Sequence, residues 1–349
     1  MYLEHFQLTV QPFRLTPDIG FLFMSEAHTR AKSYMDYTVW NQEGFVVITG
    51  EIGSGKTTLI QKLLSELGED VLVAKIFQTQ LDEVEFLRAV LVELGLDPFD
   101  AKKVQLLDML NTFLVKQFQR RKQIVLIVDD AHNLNMKVLE EIRMLAGLEA
   151  RKETVLHVIL VGQPQLNEII DHPKMDQLRQ RAKLRYHIRP LDNKETDAYI
   201  RHRLRVAGAR DRTLFRPDTL PVVYNYTGGI PRLINTLCDM ALTCAYADGV
   251  PEVTLDAVES AIKELQWPTY AERLEKHRLA TSSTPAEHGV DSGIIAAIAY
   301  QTEKMEQLAP ALESIGKSLA AIESHLRDLA QKQDATRPGP MVNSRQRTG

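Results

Sequence analysis

A three-layer α/β/α fold on a parallel sheet is predicted from three observations. Five short, apolar, β-branched runs recur over the first half of the chain, segments of helical spacing separate them, and polar or glycine-bearing turns close their carboxyl ends. Parallel strands need crossovers, and right-handed helical ones are the rule. The chain has 349 residues, 44% hydrophobic and 25% charged, with a net charge of −4. That composition suits a soluble protein of two or three domains. Cys238 and Cys244 lie in one helical pattern at a spacing that suits neither a disulfide framework nor a zinc site. The opening Met1-Tyr2-Leu3-Glu4-His5 is not a basic secretory leader, and no apolar run approaches the ~18 residues of a membrane span. The expectation is a cytoplasmic protein without a membrane span of its own, reaching a membrane only through partners.

Residues 1–44 form an N-terminal lead-in that mixes Phe6, Pro12, Phe13, Pro17, Phe21 and Phe23 with polar residues. The first strand is 45–49. Behind it Gly50-Glu51-Ile52-Gly53-Ser54-Gly55-Lys56-Thr57 spells G-x-x-x-x-G-K-T, and helical spacing follows from Thr58. A strand, this loop and a helix in that order make a phosphate-binding loop. Its glycines let the backbone turn N–H groups inward, and the helix adds the positive end of its dipole. Lys56 would reach the β- and γ-phosphates of a nucleoside triphosphate, the Thr57 hydroxyl would complete a Mg²⁺ shell, and Thr58 stands close behind.

Strand 71–77 and helices 82–94 and 104–119 lead to the apolar run 124–128, which ends in Asp129-Asp130-Ala131-His132. Open α/β sheets bind ligands at that carboxyl edge. Asp129 would hold Mg²⁺, directly or through water, and Asp130 would polarise the attacking water. The competing reading makes Asp130 or Asn133 the N-cap of the next helix. His132 is either a sensor of water or metal, or an ordinary surface histidine. Strand 155–161 ends in Gly162-Gln163-Pro164, and 182–188 is the last strand, so the nucleotide-binding core spans 45–190.

Helical periodicity over 192–206, 217–226, 230–247 and 254–265 makes 191–266 a small helical second domain. Residues 267–290 gather Pro, Ser, Thr and Glu and read as a linker. From Ile298 to Leu329 apolar residues recur at intervals of four and three, which predicts a coiled-coil helix over 291–333. Such a helix associates with itself or a partner, or folds back on the body. Residues 334–349 read as a disordered tail.

The motifs together resemble the AAA+ ATPases similar to general-secretion-pathway protein A, which include ATPases of pilus assembly and exosortase-linked polysaccharide systems. The resemblance covers about residues 1–265. It rests on Tyr2-Leu3-Glu4-His5-Phe6, Pro12-Phe13-Arg14-Leu15-Thr16-Pro17-Asp18, the phosphate loop, Asp129-Asp130-Ala131-His132, Val161-Gly162-Gln163-Pro164-Gln165-Leu166, Leu178-Arg179-Gln180-Arg181 and Gly228-Gly229-Ile230-Pro231-Arg232-Leu233-Ile234-Asn235. It implies a P-loop core with a helical lid, and ATP with Mg²⁺ as its ligands. Gln163 would be the polar sensor near the γ-phosphate, and Arg232, opening a lid helix, the second sensor. Arg179 and Arg181 stand where related ATPases place the arginine that reaches a neighbour's nucleotide, which implies a homo-oligomer. Where the family more often has Glu, this chain has Asp130, one methylene shorter, which implies slow hydrolysis. Gln78 is either a switch amide for Asp130 or a plain loop amide.

The functional expectation is an ATPase that remodels or recruits an envelope machine for secretion, polysaccharide export or pilus assembly, its client a protein of that system. The alternative is an ATP-gated DNA-binding adaptor resembling transposition target-selection ATPases. Its support is a basic stretch, twelve Lys/Arg against four acids between Arg179 and Arg216, which would attract phosphate backbone if the side chains shared one face.

Overall fold

Phe45–Gly50 (β1) is buried at every position, as a strand covered by helices on both faces must be. Side chains alternate across a strand, so Phe45 and Val47 enter one core while Val46 and Ile48 enter another. The computed structural model describes residues 2–40, 44–150, 153–210 and 212–282. The remaining strands are Val71–Ile76 (β2), Gln123–Val128 (β3), the two-residue ribbon Glu149–Ala150 (β4) with Glu153–Thr154 (β5), His157–Gly162 (β6) and Leu184–Ile188 (β7). β2, β3, β6, β1 and β7 lie side by side in that order, all parallel, while β4 and β5 pair antiparallel apart from them. The five strands read from the sequence are these five, and the predicted α/β/α class holds.

The chain opens with Tyr2–His5 (α1), and Glu26–Trp40 (α2) then packs on one face of the sheet beside Lys56–Glu66 (α3). Ala27, Ala31, Met35 and Val39 of α2 repeat every fourth residue and meet Leu59, Ile60 and Leu63 of α3 over Val46 and Ile48. The lead-in thus supplies a whole helix of this layer. On the other face lie Glu83–Glu93 (α4), Lys103–Gln119 (α5), Met136–Leu145 (α6), Gln165–Asp171 (α7) and Asp176–Arg181 (α8). Asp82 and Glu85 start α4 with a reciprocal capping box.

Asn193–Leu204 (α9), Leu220–Thr227 (α10), Pro231–Ala247 (α11) and Leu255–Leu265 (α12) build the helical second body. Its core takes in Phe6, Phe13 and Phe21 of the lead-in beside Tyr199, Leu204, Phe215 and Leu237. Residues 267–290, expected as a linker, begin instead as a helix, Tyr270–Ser282 (α13). Arg273 anchors it: its guanidinium lies 4.8 Å from the Trp267 ring centre and donates to the Tyr226 carbonyl. The rest of that segment, the expected coiled coil and the tail lie outside the described residues.

Candidate functional site

Strand order decides which side chains can meet. β6 lies between β3 and β1, so the carboxyl ends bearing Asp129, Gln163 and the phosphate loop stand side by side. The Thr57 hydroxyl donates to Asp129 Oδ2 at 2.8 Å, joining two residues 72 positions apart. Asp129 is buried, and its Oδ1 accepts the Asp130 backbone N–H at 3.0 Å. Burial pushes the Asp129 carboxyl up, the Thr57 hydroxyl pulls it down, and the neighbouring charge of Asp130 raises it again. A carboxylate in that position is one whose ionised form a cation would favour.

Lys56 lies across the loop, its Nζ donating to the Gly50 and Glu51 carbonyls at 2.7 and 2.8 Å. Burial lowers its pKa, while Asp129, Asp130 and Glu51 hold it up. Gly53 and Gly55 have φ of +80° and +93°. A Cβ at Gly53 would stand 2.3 Å from Arg232 Cβ, and one at Gly55 would press on His28 Nε2 at 3.0 Å. The Ser54 hydroxyl is buried without a hydrogen-bond partner. Glycines that admit no side chain, an orphaned hydroxyl, a helix N-terminus and a lysine fit a phosphate group.

The capping alternative for Asp130 does not hold. Asp130 sits at φ 50°, its side chain caps nothing, and Asn135 caps α6 by accepting from Val138 N–H at 2.9 Å. Asp130 is exposed and lines a cleft of about 430 Å³, the size of a small-molecule site. Ile52, Gly53, Gly55, Lys56, Thr57, Thr58, Gln163 and Arg232 line it too. Gln163 has its amide nitrogen 2.7 Å from His132 Nε2. Arg232 is exposed, and its backbone N–H donates to the Gly53 carbonyl at 3.2 Å, tying the second body to the loop. Gln78 is exposed and outside the cleft lining.

Arg179 and Arg181 do not line the cleft. Arg179 pairs with Asp176 at 2.8 Å on the surface, and Arg181 donates to the Ala146 carbonyl at 2.9 Å. The basic stretch is likewise dispersed rather than one bare cationic face. Arg185 pairs with Asp171, Arg189 with Glu26 and Arg201 with Asp197, while Arg203 is buried against the Pro12 and Arg14 carbonyls.

Two groups of residues escaped the sequence reading. Arg14 to Asp18, with Phe21 to Phe23, line the cleft beside Tyr199 and Asn235 of the second body, Asn235 donating to the Arg14 carbonyl at 3.3 Å. His28 is buried beneath the loop; its Nε2–H donates to the Ser54 carbonyl at 2.8 Å, so its Nδ1 takes the Ser25 hydroxyl at 2.7 Å. The first stands in a motif of the family resemblance to which the sequence attached no role, and the second leaves no signal, because a lone histidine on an amphipathic helix has no spacing to betray it.

His28→Leu should lower stability by about 1–3 kcal/mol by stripping the Ser54 carbonyl of its donor, whereas His28→Gln offers an amide N–H in its place and removes only the titration. Burial holds the His28 pKa below the ordinary histidine value. The unfolded chain therefore binds the proton more tightly, and stability is complete above ~6.5 and falls as the pH drops through it. His157 and His202 are lowered by burial too, so the informative quantity is the difference between wild type and His28→Gln in melting temperature against pH. Parallel curves would exclude a buried neutral His28.

No helix of the described residues is long and apolar enough to cross a membrane. Residues 40–170 match the family model of the AAA domain. The chain is 38% identical over 267 residues to general secretion pathway protein A of Aeromonas hydrophila, a match covering 76% of this chain and 48% of that protein. It spans about half the length of the curated relative it matches. Among solved structures the fold is similar to Drosophila ORC bound to DNA, with TM-score 0.57, 17% identity and coverage of 76% of this chain and 65% of that one. It is also similar to Cdc6p from Pyrobaculum aerophilum, with TM-score 0.56, 17% identity and coverage of 75% and 70%. At those identities the likeness is one of fold.

Proposed function

From a chain that carries an AAA domain and resembles general secretion pathway protein A, we propose an ATPase that binds Mg-ATP, hydrolyses it slowly and acts on a protein of an envelope export system. The observation that carries this reading is the 2.8 Å bond from Thr57 to Asp129, with Lys56 and Asp130 on the same cleft. Among the described residues no cluster of three or more His, Cys, Asp or Glu side chains could hold a metal by itself. A Mg²⁺ here would rest on Thr57 and Asp129 and take its other oxygens from phosphate and water. Bound in that way, it would supply charge neutralisation for phosphoryl transfer.

The chain's own residues then divide the work. Backbone amides of residues 53–57 and the Lys56 ammonium receive phosphate oxygens, and Asp130, unengaged as a cap, orients water from the open side. Gln163 and Arg232 line the cleft from β6 and from the second body, so a ligand touching both would draw the two bodies together. Titration calorimetry with ATP, with and without Mg²⁺, tests the reading. Micromolar uptake that needs the metal is expected, and none on folded protein would end it.

Arg179 is proposed to complete the site of a neighbouring copy in a homo-oligomer. Its present partner is cheap to exchange, since an exposed ion pair is worth about 0–1 kcal/mol. Arg181, held by a backbone carbonyl, is the stiffer of the two. Arg179→Ala should leave nucleotide affinity unchanged and lower turnover about a hundredfold or more. Turnover per chain that does not depend on protein concentration would contradict a shared site. Peripheral attachment to the inner membrane through the client follows from the export reading. DNA binding draws weaker support, because the cations of the basic stretch are largely engaged within the chain.

A further inference from the structure

A second concavity of about 140 Å³ is set in the helical body and shares no lining residue with the nucleotide cleft. Leu204, Leu214 and Phe215, all buried in the second core, form its floor. Among the described residues its charged lining is Arg201, Arg205, Arg210 and Arg212 against the acid Asp197. Two of these arginines are already engaged. Arg201 Nε holds Asp197 at 2.6 Å, and Arg212 donates to the Gln7 carbonyl and side chain at 3.0 and 3.3 Å. The side chains of Arg205 and Arg210 have no hydrogen-bond or ion-pair partner among the described residues. Arg210 is held at φ 54° and ψ −120°, a conformation uncommon for any residue but glycine.

We propose that this pocket docks an acidic segment of a protein partner, with an apolar side chain over Leu204, Leu214 and Phe215 and flanking carboxylates on Arg205 and Arg210. Charge complementarity selects the class. A guanidinium meets a carboxylate in a planar, two-pronged fit, and a pocket edged by arginines over an apolar floor asks for both kinds of group in one ligand. A nucleic-acid strand gains little there. Its backbone wants an open track of cations, and its sugars bring nothing to bury against leucine and phenylalanine.

Fluorescence anisotropy on the full chain with Mg-ATP tests the proposal, using a fluorescein-labelled peptide that alternates Asp or Glu with Leu. The same peptide carrying Asn and Gln, and a labelled DNA duplex, are run beside it. The acidic peptide should bind, its amide counterpart at least about tenfold more weakly. Arg205→Gln and Arg210→Gln should each weaken the acidic peptide by about the same factor, and Lys at either position by less. Nucleotide affinity and melting temperature should not move, which separates a failure here from a failure of the nucleotide reading. Equal binding of the acidic and amide peptides, or unchanged binding in both glutamine variants, would overturn it. So would a duplex that loses affinity in those variants while the peptide never binds, which would make the pocket a phosphate site.

Discussion

Lys56→Ala is expected to weaken Mg-ATP binding by about 3 kcal/mol, roughly a hundredfold in Kd, while leaving the fold intact. Lys56 is buried and carries its charge against a desolvation penalty, offset by Asp129, Asp130 and Glu51. Its two bonds go to carbonyls of its own loop, which a phosphate can replace with a charged acceptor. Removing the ammonium therefore relieves a strained charge in the free protein and takes the main cation from the bound one. The two effects act in the same direction on affinity. Asp130→Asn should behave differently: binding persists and turnover falls by a factor on the order of 10²–10⁴, since the side chain that would polarise water is lost. Binding by calorimetry and phosphate release on both variants separate the roles. Identical behaviour of the two, or turnover unchanged in either, contradicts the assignment.

What could be read in advance follows from what is local. The strands at 45–50 and 124–128 announce themselves because a strand buried on both faces must be almost wholly apolar, while 71–76, at the sheet edge, is less buried and admits Lys75. Asp129 and Asp130 were legible because they end such a strand. The site's other half was not, since Phe21 and His28 acquire their roles only from residues far along the chain, Phe21 from the helical body and His28 from the Ser54 carbonyl. The helix α13 was missed for a related reason. Leu274 and Leu279 are 53% and 58% exposed, so it has no apolar stripe, and its attachment rests on Trp267, Tyr270 and Arg273 at one end. The arginine count between 179 and 216 misled in the opposite sense. A one-dimensional excess says nothing of partners such as Asp171 and Glu26, which the fold brings in from outside the stretch.

Gly229→Ala should be the most damaging small substitution in the described chain, costing more than about 4 kcal/mol. Gly229 has φ +74°, and a Cβ there would stand 1.8 Å from the Leu191 carbonyl oxygen, on a residue whose own N–H donates to the Gly229 carbonyl at 3.0 Å. A flexible side chain could swing away; a backbone carbonyl moves only with the chain that carries it. Gly95→Ala provides the control. Its φ is +79° but nothing lies within 4 Å of the added carbon, so it isolates the backbone penalty of about 1 kcal/mol. Chemical denaturation of the two variants measures the difference. The cleft should suffer with the fold, because Leu191 lines it and the adjoining Arg232 N–H holds the Gly53 carbonyl. A Gly229→Ala protein as stable as Gly95→Ala would mean that the backbone around Leu191 yields to the added carbon.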